Sequence, residues 1–291
     1  MVSFIDCHLS LRRCSPFNGG KFEGWGTSFC WWPNRIGYLD ELSEQAAKLF
    51  FDPKEGLGLN IIRYNIGGGD DPTHHHITRT DSMVPGYAIN PSHDANGYHW
   101  SYDWNADQNQ RNVLMKVAEC YGKNLIVEGF SNSPPYFMTN SGCSSGSVNA
   151  GENNLREDAY GAFASYLADV AQHFSKEWGI HFQSMTAMNE PDTEYWHALS
   201  DKQEGCHFDP GESQSVMIIA LREALDERGL NDILISGTDE TGIDCQINSI
   251  NSLSEVAREI IARIDTHSYL EGDNEGLRKL AQSYYLSLIH I

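Results

Sequence analysis

Met188-Asn189-Glu190-Pro191 closes a short apolar run, 182–188, and is the place in the chain where chemistry is easiest to locate. Proline has no N–H to give a sheet ladder, so Pro191 ends the strand and leaves Glu190 at its rim. A carboxyl held there can give and take a proton. Strict alternation sends Asn189 and Glu190 to opposite faces, so both reach one cleft only if the strand distorts between them. Arg63 shares a strand face with Leu59, Ile61 and Asn65 and points inward; it is either a site residue or half of a buried ion pair, with Asp265 as the facing carboxylate. His267 and Tyr269 share a face of a later run, where substrate contact competes with core packing. Trp32 and Trp196 offer flat apolar faces on which a ligand ring can stack, again in competition with the core. Asn132, ahead of Ser133-Pro134-Pro135, can bond a ligand or make a plain turn.

Metal and thiol chemistry are less well supplied. His74, His75 and His76 are consecutive, a spacing that rarely converges on one ion, and no cysteine or second histidine pair stands at ligand spacing, so a polar rim is expected and no metal. The cysteines at 7, 14, 30, 120, 143, 206 and 245 include no CxxC, which argues against zinc ribbons and thioredoxin-like sites. They read mostly as single thiols, with a disulfide such as Cys143–Cys206 left open.

The elements that must position these residues alternate along the chain. Apolar runs at 24–32, 59–66, 124–130, 182–188, 232–236 and 264–269 read as strands. Helical stretches read at 38–51, 105–121, 156–178 and 212–228, with a weak one at 253–262 and a partial one from Glu275. Six βα units imply parallel strands with right-handed crossovers, in either a doubly wound sheet or a (β/α)8 TIM barrel. No GxGxxG or GxxxxGK[ST] follows the first strand, and polar and aromatic residues gather just after the strands, where a barrel builds its active site. The barrel is the expected fold. Two long rim loops stand out: 70–104, whose aromatics argue for function, and 131–155, whose Ser/Gly stretch reads as mobile.

Asp plus Glu outnumber Lys plus Arg by 40 to 20, a formal net charge of −20, so phosphate backbones and anionic bilayers are poor partners. No apolar run approaches the ~20 residues of a membrane span. The first residues lack the basic and apolar regions of an export leader. An uncharged carbohydrate polymer or oligosaccharide suits this surface, with no nucleic acid and no membrane as partner, and localisation stays open.

Phe22-Glu-Gly-Trp-Gly-Thr-Ser-Phe-Cys-Trp-Trp32, Gly58-Leu-Asn-Ile-Ile-Arg-Tyr-Asn-Ile-Gly-Gly-Gly69, Asn132-Ser-Pro-Pro-Tyr-Phe-Met138, Asn189-Glu-Pro191 and Thr266-His-Ser-Tyr269 are together similar to glycoside hydrolase family 30. Within that family the endo-β-1,6-galactanase branch looks most similar, and the likeness runs from about residue 20 to 280. The resemblance implies a retaining two-glutamate hydrolase in which Glu190 is the general acid/base and Asn189 binds the 2-hydroxyl of the sugar. It implies that Arg63 supports the nucleophile and that relatives are usually secreted; no metal or organic cofactor is expected, because acid/base and nucleophile chemistry need neither, and the complete protein is expected to be a monomer. The same family also includes β-glucosidases, β-1,6-glucanases and xylanases, and a carbohydrate-binding relic without catalysis is a further reading.

The nucleophile of the family is a second glutamate at the end of the seventh strand, and no residue here matches that motif. Six strands consume the chain to about residue 270, and the 22 residues that follow are too few for two more βα units. The expectation is therefore an incomplete barrel: a lead-in over 1–20, a partial barrel over 21–285, and a tail over 286–291 of doubtful origin. Catalytic silence follows, because retention needs both carboxyls. Glu240, beside Asp239 after the fifth strand, is the one substitute in reach.

Overall fold

The computed structural model describes residues 22–284 and 286–290. In chain order the strands are β1 (Gly26–Ser28), β2 (Ile61–Asn65), β3 (Ala88–Asp94), β4 (Gly97–Tyr102), β5 (Ile126–Phe130), β6 (Ser184–Thr186), β7 (Leu234–Gly242), β8 (Ile261–Leu270) and β9 (Ser287–His290). Strands β3 and β4 form a separate antiparallel pair, and the other seven form one parallel sheet in the order β1-β2-β5-β6-β7-β8-β9. Leaving the hairpin aside, this is simple sequence order. A doubly wound sheet reverses direction at a switch point, and no reversal occurs here. Helices Asp40–Phe51, Gln108–Tyr121, Tyr160–Glu177 and Glu212–Glu227 alternate with the strands. The molecule is thus an open arc of a TIM-type barrel.

The pleat of β2 shows how the sequence builds this arc. Ile62 and Tyr64 face the helices, while Arg63 and Asn65 face the concave side. The Tyr64 ring lies 5.1 Å from Phe174, and its hydroxyl donates to Asp107 Oδ2 at 2.5 Å. Helix Tyr160–Glu177 answers with a buried stripe of Phe163, Leu167, Val170 and Phe174, spaced to fall on one face. Burying each such side chain is worth about 1.5–3 kcal/mol. On the concave side, parallel register sets Arg63 beside Glu128 and Glu128 beside Ser184. Glu128 accepts from Ser184 and Ser236 at 2.7 and 3.0 Å, so the barrel interior is polar. Asp265 is also buried there. Desolvation, reinforced by Glu128 and Asp239, raises its carboxyl well above the ordinary range.

Several features differ from the sequence reading. The segment 70–104 holds the β3–β4 hairpin, turned at Ala95-Asn96 with Gly97 at φ 108. Asn-Gly between alternating residues is a hairpin signal that outweighs the polar composition of the segment. Its aromatics are structural, not rim groups. Tyr102 stacks on Trp104, Trp104 stacks on His173 with centroids 3.7 Å apart, and Tyr87 is fully buried. The Ser/Gly stretch of 131–155 is held by hydrogen bonds, Ser141 Oγ to Gly146 O at 2.7 Å and Ser145 Oγ to His197 O at 2.8 Å among them. Cys143 and Cys206 are both free thiols. The weak helix expected at 253–262 shortens to Glu255–Ile260, with β8 beginning at Ile261, and a helix that the sequence reading lacked, Ile243–Ser252, precedes it. A seventh parallel strand is present as well: residues 287–290 pair with β8, Ile264 opposite Leu288. The lead-in over 1–20 lies outside the described residues.

Candidate active site

The concave ends of the strands carry a cleft of about 410 Å³ whose lining includes Arg63, Asn132, Asn189, Glu190, Trp196, His267 and Tyr269. Seven of the eight residues picked out of the sequence therefore meet in one place. Trp32 is the exception. It packs edge-on against Phe29 and Phe50 with centroids 5.2 and 5.5 Å away, as part of the core, and its neighbour Trp31 lines the cleft. Trp32 opens the helix Trp32–Ile36, which turns its ring toward Asp40–Phe51.

Glu190 adopts a left-handed backbone, φ 48, which costs about 1–2 kcal/mol for a non-glycine residue. That twist is the distortion the alternation argument requires, since it brings Asn189 and Glu190 to the same cleft. Three contacts hold it: Glu190 N–H donates to Asp239 O at 2.7 Å, and Thr193 Oγ1 and Trp196 Nε1 donate to Glu190 O at 3.0 Å. The Glu190 carboxyl accepts from the Tyr195 hydroxyl and stands 3.6 Å from His267 Nδ1. Only 7% of Glu190 is exposed, and desolvation raises its pKa despite the Tyr195 bond and the nearby His267 and Arg63. A carboxyl so placed keeps its proton longer than an ordinary glutamate, as a general acid requires.

Arg63 is buried with its guanidinium over the Phe130 ring, 3.4 Å from the centroid. It donates to Asp239 Oδ2 and, at 3.2–3.3 Å, to Asn189 Oδ1, and its Nε lies 3.6 Å from Glu128. Its ion partners are Asp239 and Glu128 rather than Asp265. The reason is that Asp239 sits at φ 68 in a kinked β7, which delivers its carboxylate to the guanidinium, while Asp265 has no hydrogen-bond partner. Because arginine only donates, the Asn189 oxygen is committed to it and the Asn189 amide N–H2 remains for a ligand.

His267 Nε2 stands 3.2 Å from Asp239 Oδ1, so the imidazole sits between the Glu190 and Asp239 carboxylates. Its ring lies 5.0 Å from that of Tyr269, which is 70% exposed at the mouth. Trp196 is buried against Gly205, where a Cβ would come within 2.1 Å of the indole. Asn132 is buried and points a weak amide contact at Cys30 Sγ, 3.8 Å. Glu240 faces away from the cleft: it accepts from Gln214, Ser249 and the Asp192 N–H, and burial pushes its pKa up to about 7. Its carboxyl is not among the groups that line the cleft.

Sequence reasoning missed Tyr195, Trp31, Ser28, Cys30, Ser200, Lys202 and Gln203 in the lining, and Asp239 as the anchor of Arg63 and His267. Tyr195 had a signal, an aromatic hydroxyl five residues beyond Glu190. Asp239 had only its place in the rim pair. On the loop 70–76 the structure also departs from the expectation of unconverged histidines, because His74 and His76 gather with Asp70 and Cys143.

The sequence model of O-Glycosyl hydrolase family 30 matches residues 21–255. An endo-beta-1,6-galactanase of Hypocrea rufa is 38% identical over 274 residues, covering 88% of this chain and 54% of the relative. An exo-beta-1,6-galactobiohydrolase of Bifidobacterium longum subsp. longum is 26% identical, covering 92% of this chain and 23% of the relative. The chain thus spans about half the length of the first relative and under a quarter of the second. Among solved structures, the catalytic domain of GH30 xylanase C from Talaromyces cellulolyticus superposes with a TM-score of 0.64 at 20% identity, covering 84% of this chain and 52% of that one. That likeness carries the barrel fold alone. With the family match running through β1, β2, β5, β6 and β7 and the cleft at their ends, the chain belongs to O-glycosyl hydrolase family 30.

Proposed function

We propose that this chain supplies the acid/base half of a retaining glycosidase acting within β-1,6-linked galactan, with Glu190 as the general acid. The observation that carries the reading is the desolvated Glu190 carboxyl in a cleft walled by indole, phenol and amide groups. Glu190 gives its proton to the glycosidic oxygen as the bond to the anomeric carbon breaks, and the resulting carboxylate later takes a proton from the attacking water. The Asn189 amide donates to a sugar hydroxyl, and the Trp196 and Trp31 rings shape the walls. The preference for β-1,6-galactan follows the two relatives, an endo-beta-1,6-galactanase and an exo-beta-1,6-galactobiohydrolase.

Retention requires a second carboxylate about 5–5.5 Å from the first, on the other side of the anomeric carbon. Among the described residues, Glu190 is the one carboxylate that lines the cleft. Asp239 is fully buried and tied to Arg63, which leaves it no approach to a sugar. The 291-residue polypeptide by itself is accordingly expected to bind galactan oligosaccharides and not to turn them over. Incubating it, and separately the full-length protein, with β-1,6-galactan, β-1,6-glucan and xylan tests both halves. Release of galacto-oligosaccharides by the full-length protein alone supports the proposal. Preference for glucan or xylan refutes the substrate, and turnover by the 291-residue chain refutes the missing-carboxylate argument.

A further inference from the structure

Two loops that the cleft does not use as chemistry bring four metal-binding side chains together. Asp70, His74 and His76 come from the segment after β2, and Cys143 from the loop after β5, 67 residues beyond His76. One donor atom from each lies within 4.8 Å of the other three. We propose that these residues form a tetrahedral zinc site that ties the two loops together beside the cleft.

The spacing suits the ion. Zinc bonds of about 2.0–2.3 Å in a tetrahedron separate the donors by roughly 3.3–3.6 Å. Asp70 Oδ1 to His74 Nδ1 is already 3.3 Å, and Cys143 Sγ to His76 Nε2 is 3.3 Å. The closer Asp70 Oδ2–His76 Nε2 contact, 2.6 Å, opens when an ion enters between them. A thiolate, two imidazoles and one carboxylate form a borderline-soft set that suits zinc rather than magnesium or calcium, which prefer oxygen alone.

Surrounding groups orient these donors as they do in metal sites. His76 Nδ1 lies 2.5 Å from Ser200 O, so its N–H points at that carbonyl and Nε2 is left bare toward the other donors. The Leu199 N–H donates to Cys143 Sγ at 3.3 Å, a contact suited to a thiolate. The Ser144 N–H donates to Asp70 Oδ1 at 3.3 Å. Four protein ligands leave no open position, so the ion is structural and the glycosidic chemistry stays with Glu190. Its effect reaches the cleft through Ser200, which His76 holds and which lines the cleft.

The test is metal binding by the full-length, untagged protein. After chelation, titration with Zn²⁺ should show one ion per chain and raise Tm. Co²⁺ in its place should give the thiolate-to-cobalt charge-transfer band of a cysteine ligand. Cys143→Ser should abolish that band, and His76→Ala should weaken Zn²⁺ binding by roughly tenfold or more. His75→Ala, an exposed neighbour outside the cluster, should leave both unchanged. The absence of a charge-transfer band in the unmutated protein overturns the proposal without reference to any variant. So does equal Zn²⁺ affinity in the unmutated and His76→Ala proteins, which would leave His76 as a charged partner of Asp70 and nothing more.

Discussion

Tyr195→Phe isolates one bond at Glu190 while keeping the ring that packs on Trp196, 4.5 Å away between centroids. The Tyr195 hydroxyl donates to the Glu190 carboxylate, which favours the charged form and holds the pKa below the level that burial alone would set. A hydrogen bond to a charged group is worth about 1.5–3 kcal/mol, or roughly one to two pKa units at 1.36 kcal/mol each. Tyr195 is 47% exposed, so water replaces part of the lost bond and the lower end applies. The Glu190 pKa should therefore rise by about one unit on substitution. Since the general acid must be protonated in the free enzyme, the basic limb of the kcat/KM profile of the full-length protein should move up by about one pH unit. At a pH above that limb the variant would outperform the parent. An unmoved limb, or one displaced downward, would refute the link between this hydroxyl and the catalytic proton.

Arg63→Met leaves Asp239 and Glu128 buried without their cation, and should destabilise the protein by about 3–5 kcal/mol in chemical denaturation; a loss under 1 kcal/mol would show that the pair carries little. Gly205→Ala drives a methyl into the Trp196 indole, so sugar affinity should fall severalfold by calorimetry with the fold retained, and unchanged affinity would remove Trp196 from the binding wall. Stability should also decline with rising pH. Burial raises the carboxyls of Asp107 and Glu240 to about 7, and that of Glu204 well above its ordinary value. Each keeps its proton in the fold where the unfolded chain releases it, so this contribution is complete below about pH 4 and is lost as pH rises through 7. Tm should fall between pH 5 and 8, and a rise across that interval would contradict the assignment.

The fold was legible because its periodicities are strong. Strand β2 alternates inward Arg63 and Asn65 with outward Ile62 and Tyr64, and helix Tyr160–Glu177 repeats its apolar residues at helical spacing. The candidate site was legible where strand position fixes direction, as for Arg63 and His267, and at Glu190, where Pro191 marks the end of the strand. It was misread where direction depends on tertiary packing. Trp31 and Trp32 are adjacent aromatics, and only the start of a short helix decides which of them faces the cleft. The partner of Arg63 was misassigned because the kink at Asp239 has no local sequence signature. The gathering of Asp70, His74, His76 and Cys143 was invisible for a related reason: its ligands lie on separate loops, and spacing rules read only within one. In segment 70–104 the aromatics suggested a rim, whereas Asn96-Gly97 already specified a hairpin.

The central claim, that Glu190 protonates the leaving oxygen, is tested most directly by Glu190→Gln in the full-length protein assayed on two β-galactosides. An alkyl or sugar leaving group needs that proton, and an activated aryl leaving group needs it little. A loss of roughly 10²–10⁴-fold is expected on the first, within the range for general acid catalysis, and a far smaller loss on the second. Equal losses on both substrates would contradict it.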